Sequence, residues 1–315
     1  YIFYKGVKSI KISKDDSNLG NPNLFMQDHK VMGKEYIDDK KKTLSFNKLT
    51  PTEWTKLSKS VWNDVSSPRQ KHHLEHGATF SMALAERAIK IYSAEGDLVL
   101  DPFLGVGTTL LAAYKLGRMG IGFEIYEKFV TISKSLFDQR TLYNLPTPLI
   151  IHDDCRKMLD YMQPNTVQLT FTSPPYANFI HRSIKDRSET HKNSILVLEN
   201  KSVVKPYGED VRDFGNLSYE DFLIAAEDLM KKIYIVTKNG GYNVWVVKDC
   251  RDPQNGKPFI PLHADLAKTA EKAGFSWHDL IIWDQNEQRR LVLLGYPTKF
   301  YVNINHTFLV VLRKN

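Results

Sequence analysis

Cysteine is nearly absent from this chain. Its 315 residues hold two, Cys155 and Cys250. Two distant thiols cannot build a zinc cluster or a disulfide framework, and their scarcity fits a reducing compartment. Long apolar runs are also missing. None approaches the roughly 20 residues needed to span a bilayer, and no secretory signal pattern stands at the start. A soluble, cytoplasmic protein without membrane contact is the expectation. Internal repeats and low-complexity tracts are lacking, which excludes a solenoid. A glycine-rich loop is present, but it lacks the Gly-Lys-Ser/Thr of a phosphate-binding loop, which argues against an NTPase. His72, His73, His76 and Glu75 complete no known metal site, so no metal is expected.

What is present is ordinary in bulk: 42% hydrophobic and 25% charged residues, typical of a globular chain. The net charge of +7 is uneven. Residues 1–76 carry 14 Lys/Arg against 9 Asp/Glu, so +5 of the excess lies in the first quarter. Such a bias favours a polyanionic partner, although a solvated basic face explains it equally well.

The first 70 residues show little periodicity. Lys5, Lys8, Lys11 and Lys14 alternate with apolar residues, as in a short strand with one basic face. Thr50-Pro51-Thr52-Glu53 reads as a helix start: a hydroxyl cap, proline in the first turn, then an acid. Trp54, Trp62 and Trp283 read as packing residues. Ser66-Ser67-Pro68 breaks the chain, and a boundary is expected near residue 70. Beyond it, a helical stripe from Phe80 to Ile89 leads to alternating strands and helices. Strands are expected at 98–100, 119–123, 149–151, 167–171, 242–247, 277–283 and 307–312, the last two forming a hairpin around a long loop. This alternation marks a doubly wound α/β fold with a mostly parallel sheet of seven strands. A polar insert at 178–217 interrupts it, unusually long for a connection without regular structure.

In such sheets, ligands bind outside the carboxyl ends of the strands. Four successive ends carry polar or glycine-rich residues: Asp101 with Gly105 and Gly107, then Glu124, then Asp153-Asp154, then Ser173 to Tyr176. A glycine loop followed about 20 residues later by an acid closing the next strand points to a nucleoside-bearing cofactor. The Pro174-Pro175 step ends its strand, because neither proline has an N–H to donate. A hydroxyl, unpaired carbonyls and an aromatic ring at that place could hold a planar ring bearing an amino group.

The strings DPFLGVGTT (101–109) and TSPPY (172–176) together resemble the cofactor loop and catalytic tetrapeptide of amino-methylating DNA methyltransferases. HGATFSMALAERAI (76–89) is similar to the helix that precedes the loop in that family, with Ser81 where a proline is usual. GYPTKF (295–300) and NHTFLVVLRK (305–314) resemble the closing segment. The resemblance covers roughly residues 60–315 and implies a Rossmann-like class I methyltransferase fold. It implies S-adenosyl-L-methionine as cofactor, with Asp101, Pro102, Phe103, Gly105, Gly107 and Thr108 around its methionine part and Thr79 and Phe80 beside it. Glu124 would bind the ribose and Asp154 would face the adenine amino group. Ser173, Pro174, Pro175 and Tyr176 would hold the target base, with Tyr296 and Phe300 as further candidates near it.

The chemistry agrees. An exocyclic amino group is a poor nucleophile because its lone pair is delocalised into the ring. Acceptors on both amino hydrogens, the Ser173 hydroxyl and the Pro174 carbonyl, would favour a more tetrahedral nitrogen that can displace a methyl from sulfur. Tyr176 would stack on a base swung out of the duplex. Neither cysteine has the Pro-Cys context of a carbon-5 methylating enzyme. Within the family, Ser in the first position usually accompanies cytosine-N4, and Asp or Asn adenine-N6. The expected activity is site-specific cytosine-N4 methylation of double-stranded DNA, with adenine-N6 as the alternative. An RNA methyltransferase and a non-catalytic DNA-binding module are further alternatives. The resemblance also implies a DNA-associated protein, in a restriction-modification setting with a cognate endonuclease encoded nearby. The cofactor half precedes the catalytic half, the reverse of the commoner order in Ser-Pro-Pro-Tyr enzymes. That leaves two candidates for target recognition: the basic segment 1–70, and the insert, where His181, Arg182, Lys185 and Arg187 are the candidate DNA-binding residues.

Overall fold

The computed structural model describes residues 45–67, 80–137, 146–175, 208–252, 256–288 and 298–315. Its helices are α1 (Pro51–Leu57), α2 (Met82–Tyr92), α3 (Thr108–Lys115), α4 (Glu127–Ser135), α5 (Met158–Tyr161), α6 (Tyr219–Val236) and α7 (Leu262–Lys272). Its strands are β1 (Val61–Trp62), β2 (Leu98–Asp101), β3 (Met119–Glu124), β4 (Leu149–His152), β5 (Val167–Thr172), β6 (Thr237–Val247), β7 (Cys250–Asp252), β8 (Lys257–Ile260), β9 (Ser276–Asp284) and β10 (His306–Arg313). Eight strands form one sheet in the order β1-β9-β10-β6-β5-β2-β3-β4, and β7 and β8 pair separately. Within the large sheet only β10 runs antiparallel to its neighbours.

The pattern of burial follows from this order. All four residues of β2 are buried, as are four of the six in β3 and five of the six in β5. Central parallel strands covered on both faces read as continuous apolar runs. On one face Phe222 and Leu229 of α6 pack with Leu266 of α7. On the other, Leu84 and Ile89 of α2 pack with Leu110 of α3. Successive strands leave β2 in both directions, through β3 to β4 and through β5 to β6. The crevice at the carboxyl ends of β2 and β5 is therefore a topological switch point.

The helix start predicted at Thr50 and those of α2 and α6 are capped by side chains. Thr50 and Glu53 form a reciprocal capping box on α1, and the Ser218 hydroxyl accepts from the Asp221 amide at 3.1 Å. Ser81 caps α2, accepting from the Leu84 amide at 3.1 Å and donating to the Val65 carbonyl. The residue that departs from the family string thus closes a helix end, as proline at that position could not.

Three expectations change. The main sheet has eight strands rather than seven, because β1, two residues long, is too short to leave a periodic pattern. A further hairpin, β7–β8, lies outside that sheet. Trp54 is not a packing residue: α1 buries none of its residues, and Trp54 is 48% exposed. Trp62 and Trp283 are buried as expected. The β9–β10 hairpin is present, closed by the pair Asp284 and His306. Just past β10, Lys314 is buried and donates to Asn165 Oδ1, the Tyr234 carbonyl and the Thr237 carbonyl at 2.8–2.9 Å, which uses all three ammonium donors.

β1 precedes the boundary expected near residue 70, yet Trp62 is fully buried against the sheet and Val65 nearly so. Trp62→Ala should therefore lower unfolding free energy by roughly 3–5 kcal/mol, the range for truncating a large core aromatic. Denaturant unfolding checks this. A change under about 1 kcal/mol would mean that the segment around residue 62 is not part of the core.

Candidate active site

The loop after β2 is tied to the strand beside it through one buried carboxylate. Asp101, 2% exposed, accepts from the Thr172 hydroxyl at 2.6 Å and the Phe103 amide at 3.1 Å through Oδ1. Its Oδ2 accepts from the Thr109 hydroxyl at 2.5 Å. Burial pushes its pKa up to about 6, against the pull of these three donors. One side chain thus joins the end of β2, the first turn of α3 and the last residue of β5, next to Ser173.

The loop then bends back under β3. Gly105 and Gly107 both take positive φ, 53° and 86°, a conformation open to glycine at little steric cost. A Cβ on Gly107 would also meet the Ser133 side chain at 3.2–3.3 Å. The Gly105 amide donates to Glu124 Oε2, and the Tyr126 amide to Glu124 Oε1, both at 2.9 Å. The acid closing β3 therefore fixes the glycine loop. Burial raises the Glu124 pKa to about 7, and the nearby Asp213 charge adds to the rise.

At the end of β4, Asp153 accepts from Lys157 and from the Tyr161 hydroxyl, each at 2.8 Å. Asp154 is buried and gripped by Arg156 through Nε at 3.0 Å and Nη2 at 2.6 Å, a two-pronged pairing that fixes the carboxylate plane. These strand ends surround a cleft of about 670 Å³ of space, open solvent included.

Of the candidates read from the sequence, Pro102, Phe103, Gly105, Glu124, Asp154, Ser173, Pro174 and Pro175 line this cleft together. Asp101, Gly107, Thr108 and Phe80 do not line it. Asp101 and Thr108 are buried behind the loop, Gly107 caps α3, and Phe80 packs edge-on against Phe171 with ring centres 5.1 Å apart. Phe300 is 68% exposed, away from the lining. Thr79, Tyr176, His181, Arg182, Lys185, Arg187, Tyr296 and the cluster His72, His73 and His76 lie outside the described residues, as does the strand expected around Lys5–Lys14.

Asp153, also marked in the sequence as a strand-end acid, lines it too. Phe123, Ile125, Tyr126, Phe129, Cys155, Arg212, Asp213 and Phe214, which the sequence did not mark as site residues, complete the lining. Tyr126 and Phe129 follow a recognised strand end and were within reach of a closer reading. Asp213 and Phe214 sit in the tail of the polar insert, where no periodicity marks them. Cys155 lines the cleft, but burial pushes its thiol well above the ordinary range, which keeps it from acting as a thiolate nucleophile.

A family model described as DNA methylase matches residues 2–135. That span includes the basic amino-terminal segment, the glycine loop and Glu124, and stops short of Ser173. The type II methyltransferase M.MthZI of Methanothermobacter thermautotrophicus is 40% identical over 83 residues, 25% of this chain and 23% of that protein. M.BglI of Bacillus subtilis is 38% identical over 88 residues, 28% and 24% of the two chains. M2.LlaDCHI of Lactococcus lactis subsp. cremoris is 31% identical over 111 residues, 34% and 41%. The chain thus spans about a quarter of the first two relatives' length and two fifths of the third's. Among solved structures, TrmN from Thermus thermophilus aligns over 79% of this chain and 55% of its own, at 16% identity and a TM-score of 0.47. The sequence matches bear out the resemblance to amino-methylating DNA methyltransferases.

The raised Glu124 pKa has a direct check. A carboxylate that holds its proton more tightly when folded contributes stability below its ordinary value of 4.5 and loses it as pH rises through about 7. Carboxyl-carbon NMR should place the Glu124 midpoint near 7 and show it falling in Asp213→Asn. A midpoint near 4.5 would refute the assigned burial.

Proposed function

We propose that this chain is an S-adenosyl-L-methionine-dependent DNA methyltransferase acting on an exocyclic amino group, cytosine N4 in preference to adenine N6. One observation carries the reading. The glycine loop, Glu124, Asp154 and the Ser173-Pro174-Pro175 step line a single cleft. A cofactor site and an amino-group site separated in sequence by some 50 residues face each other, as a direct transfer requires.

The lining fits the cofactor's charge. Glu124, Asp153, Asp154 and Asp213 face the cleft with Arg212. Asp153 is paired with Lys157, Asp154 with Arg156 and Arg212 with Asp210. Among the described residues, Glu124 and Asp213 are therefore the lining acids without a cation partner, and they would favour a cation. Phe103, Phe123, Phe129 and Phe214 add apolar walls suited to a nucleoside. Glu124 would take the ribose hydroxyls, and Asp154, its plane fixed by Arg156, would take the adenine amino group. When bound, S-adenosyl-L-methionine would supply an electrophilic methyl on a cationic sulfur.

The protein's own part is orientation. The Asp101–Thr172 hydrogen bond fixes the end of β5 against the glycine loop, so Ser173 begins from a rigid support. The Ser173 hydroxyl and Pro174 carbonyl would accept the two amino hydrogens and turn the nitrogen lone pair towards the methyl. Tyr176 would stack on the base. No covalent enzyme intermediate is needed, in keeping with the buried, protonated Cys155.

Double-stranded DNA is the proposed partner, with segments 1–70 and 178–217 as the target-recognition candidates. The serine in the first position of the tetrapeptide favours cytosine as a tendency of the resembled family; an ionised Asp would be the stronger acceptor, yet either residue could serve either base.

Ser173→Ala should lower methyl transfer by roughly 100-fold or more, the scale for removing one aligned hydrogen-bonding group from a transition state. Cofactor affinity should change little. Mass spectrometry of nucleosides from treated DNA then separates N4-methylcytosine from N6-methyladenine. Full activity in Ser173→Ala would remove Ser173 from the mechanism, and N6-methyladenine alone would overturn the preference for cytosine.

A further inference from the structure

Residues 208–217, the return limb of the insert, supply Arg212, Asp213 and Phe214 to the cleft wall and lie beside both Tyr126 and Pro175. Asp213 is buried at 4% exposure. Its Oδ2 accepts from the Tyr126 hydroxyl at 2.7 Å, and its Oδ1 accepts from the Gly215 amide at 2.8 Å. Tyr126 stands two residues beyond Glu124 and donates its own amide to that carboxylate. Gly215 lies against Pro175, since a Cβ built there would be 3.4 Å from the proline Cβ. Hydrogen bonds therefore run from Glu124 through Tyr126 and Asp213 to Gly215, which sits beside Pro175.

The limb is held elsewhere too. Arg156, which grips Asp154, lies over the Phe214 ring at 5.4 Å and donates to the Arg212 carbonyl at 3.4 Å. Asn216 donates to the Gly208 and Asp210 carbonyls at 3.2 and 3.0 Å, so the limb closes on itself. Gly208 lies so close to the Tyr126 ring that a Cβ there would come within 2.5 Å of it. Burial, and then the Asp213 bond, push the Tyr126 hydroxyl above its ordinary range, so it stays a donor.

We infer that Tyr126 and Asp213 are a positioning pair that couples occupancy of the cofactor cleft to the placement of the catalytic Pro174-Pro175 step. The inference rests on the proposed cofactor site. A ligand that draws Glu124 towards itself would act on the Tyr126 backbone, and the Tyr126 hydroxyl holds the limb beside Pro175. On this inference the two sites share a binding free energy, which exchange at both ends of the path measures. The pair touches no reacting atom; its role is to carry order from one half of the cleft to the other.

Hydrogen–deuterium exchange tests this on the free protein and with S-adenosyl-L-homocysteine as probe. Tyr126→Phe removes one hydroxyl and keeps the ring. In the free protein it should speed exchange of the Gly215 and Asn216 amides about 10-fold, with the thermal midpoint nearly unchanged. In the native protein the probe should slow exchange at Gly215 and Ser173; in Tyr126→Phe that protection at Ser173 should be lost, with probe affinity reduced about 3–10-fold. Asp213→Ala should reproduce these effects. Unchanged free-protein exchange at Gly215, or full transmission of protection to Ser173 in both variants, would overturn the coupling. Failure of the native protein to bind the probe at all would instead overturn the cofactor assignment, and the free-protein comparison would still judge whether the Tyr126 hydroxyl holds the limb.

Discussion

The Asp101 carboxylate is the point on which the cleft depends. It is buried among three donors from three separate pieces of chain: the glycine loop, helix α3 and strand β5. A carboxylate in such a place is costly to desolvate, and its raised pKa records that cost. What it gains is specificity of position. Hydroxyls from Thr109 and Thr172 find few other acceptors in a buried layer, and the Thr109 hydroxyl otherwise reaches only the Phe171 carbonyl, at 3.3 Å. The glycine loop and the end of β5 are thereby held at one relative height. Glu124 repeats the device one strand over, accepting two backbone amides that would otherwise be unpaired beside the cleft.

The fold was largely legible in the sequence because its central strands are short, apolar and punctuated. Leu98-Val99-Leu100 lies between Gly96-Asp97 and Asp101-Pro102, and Val167 to Thr172 ends at a prolyl pair, so each strand announced its own limit. β1 escaped because two residues cannot show a period of two; Trp62 is recognisable as sheet-bound only through its partners in β9. Trp54 misled for the converse reason: an aromatic residue in a well-capped helix resembles a packing residue until the helix proves to bury none of its residues.

The candidate site was legible in its first layer and opaque in its second. Strand ends with Asp, Glu, Gly or Pro follow from local chemistry, and seven of those residues, Pro102, Gly105, Glu124, Asp153, Asp154, Pro174 and Pro175, share the cleft. Which of them would face the ligand and which would stand behind was not written locally. Asp101 and Glu124 are both acids at strand ends, yet one is enclosed by hydroxyls and the other lines the cleft. That difference arises from the register of β2 against β5 and β3. Asp213 and Phe214 were invisible for a stronger reason. They reach the cleft from about 40 residues beyond Ser173, and no pattern within the insert carries the address.

The place of β10 has a bearing on how the chain is made. It follows every other described strand in sequence, yet it lies in the sheet between β6 and β9. During synthesis, the block from β2 to β6 can assemble first, as amino-terminal portions generally do. Strands β1 and β9 have no partner in that block, because only β10 links them to it. Until residues near 313 leave the ribosomal tunnel, β6 therefore presents a bare edge of buried-type residues, Val244 to Val247, to the cell. The nascent chain would need shielding there until β10 arrives, and the Lys314 ammonium then locks β10 in place.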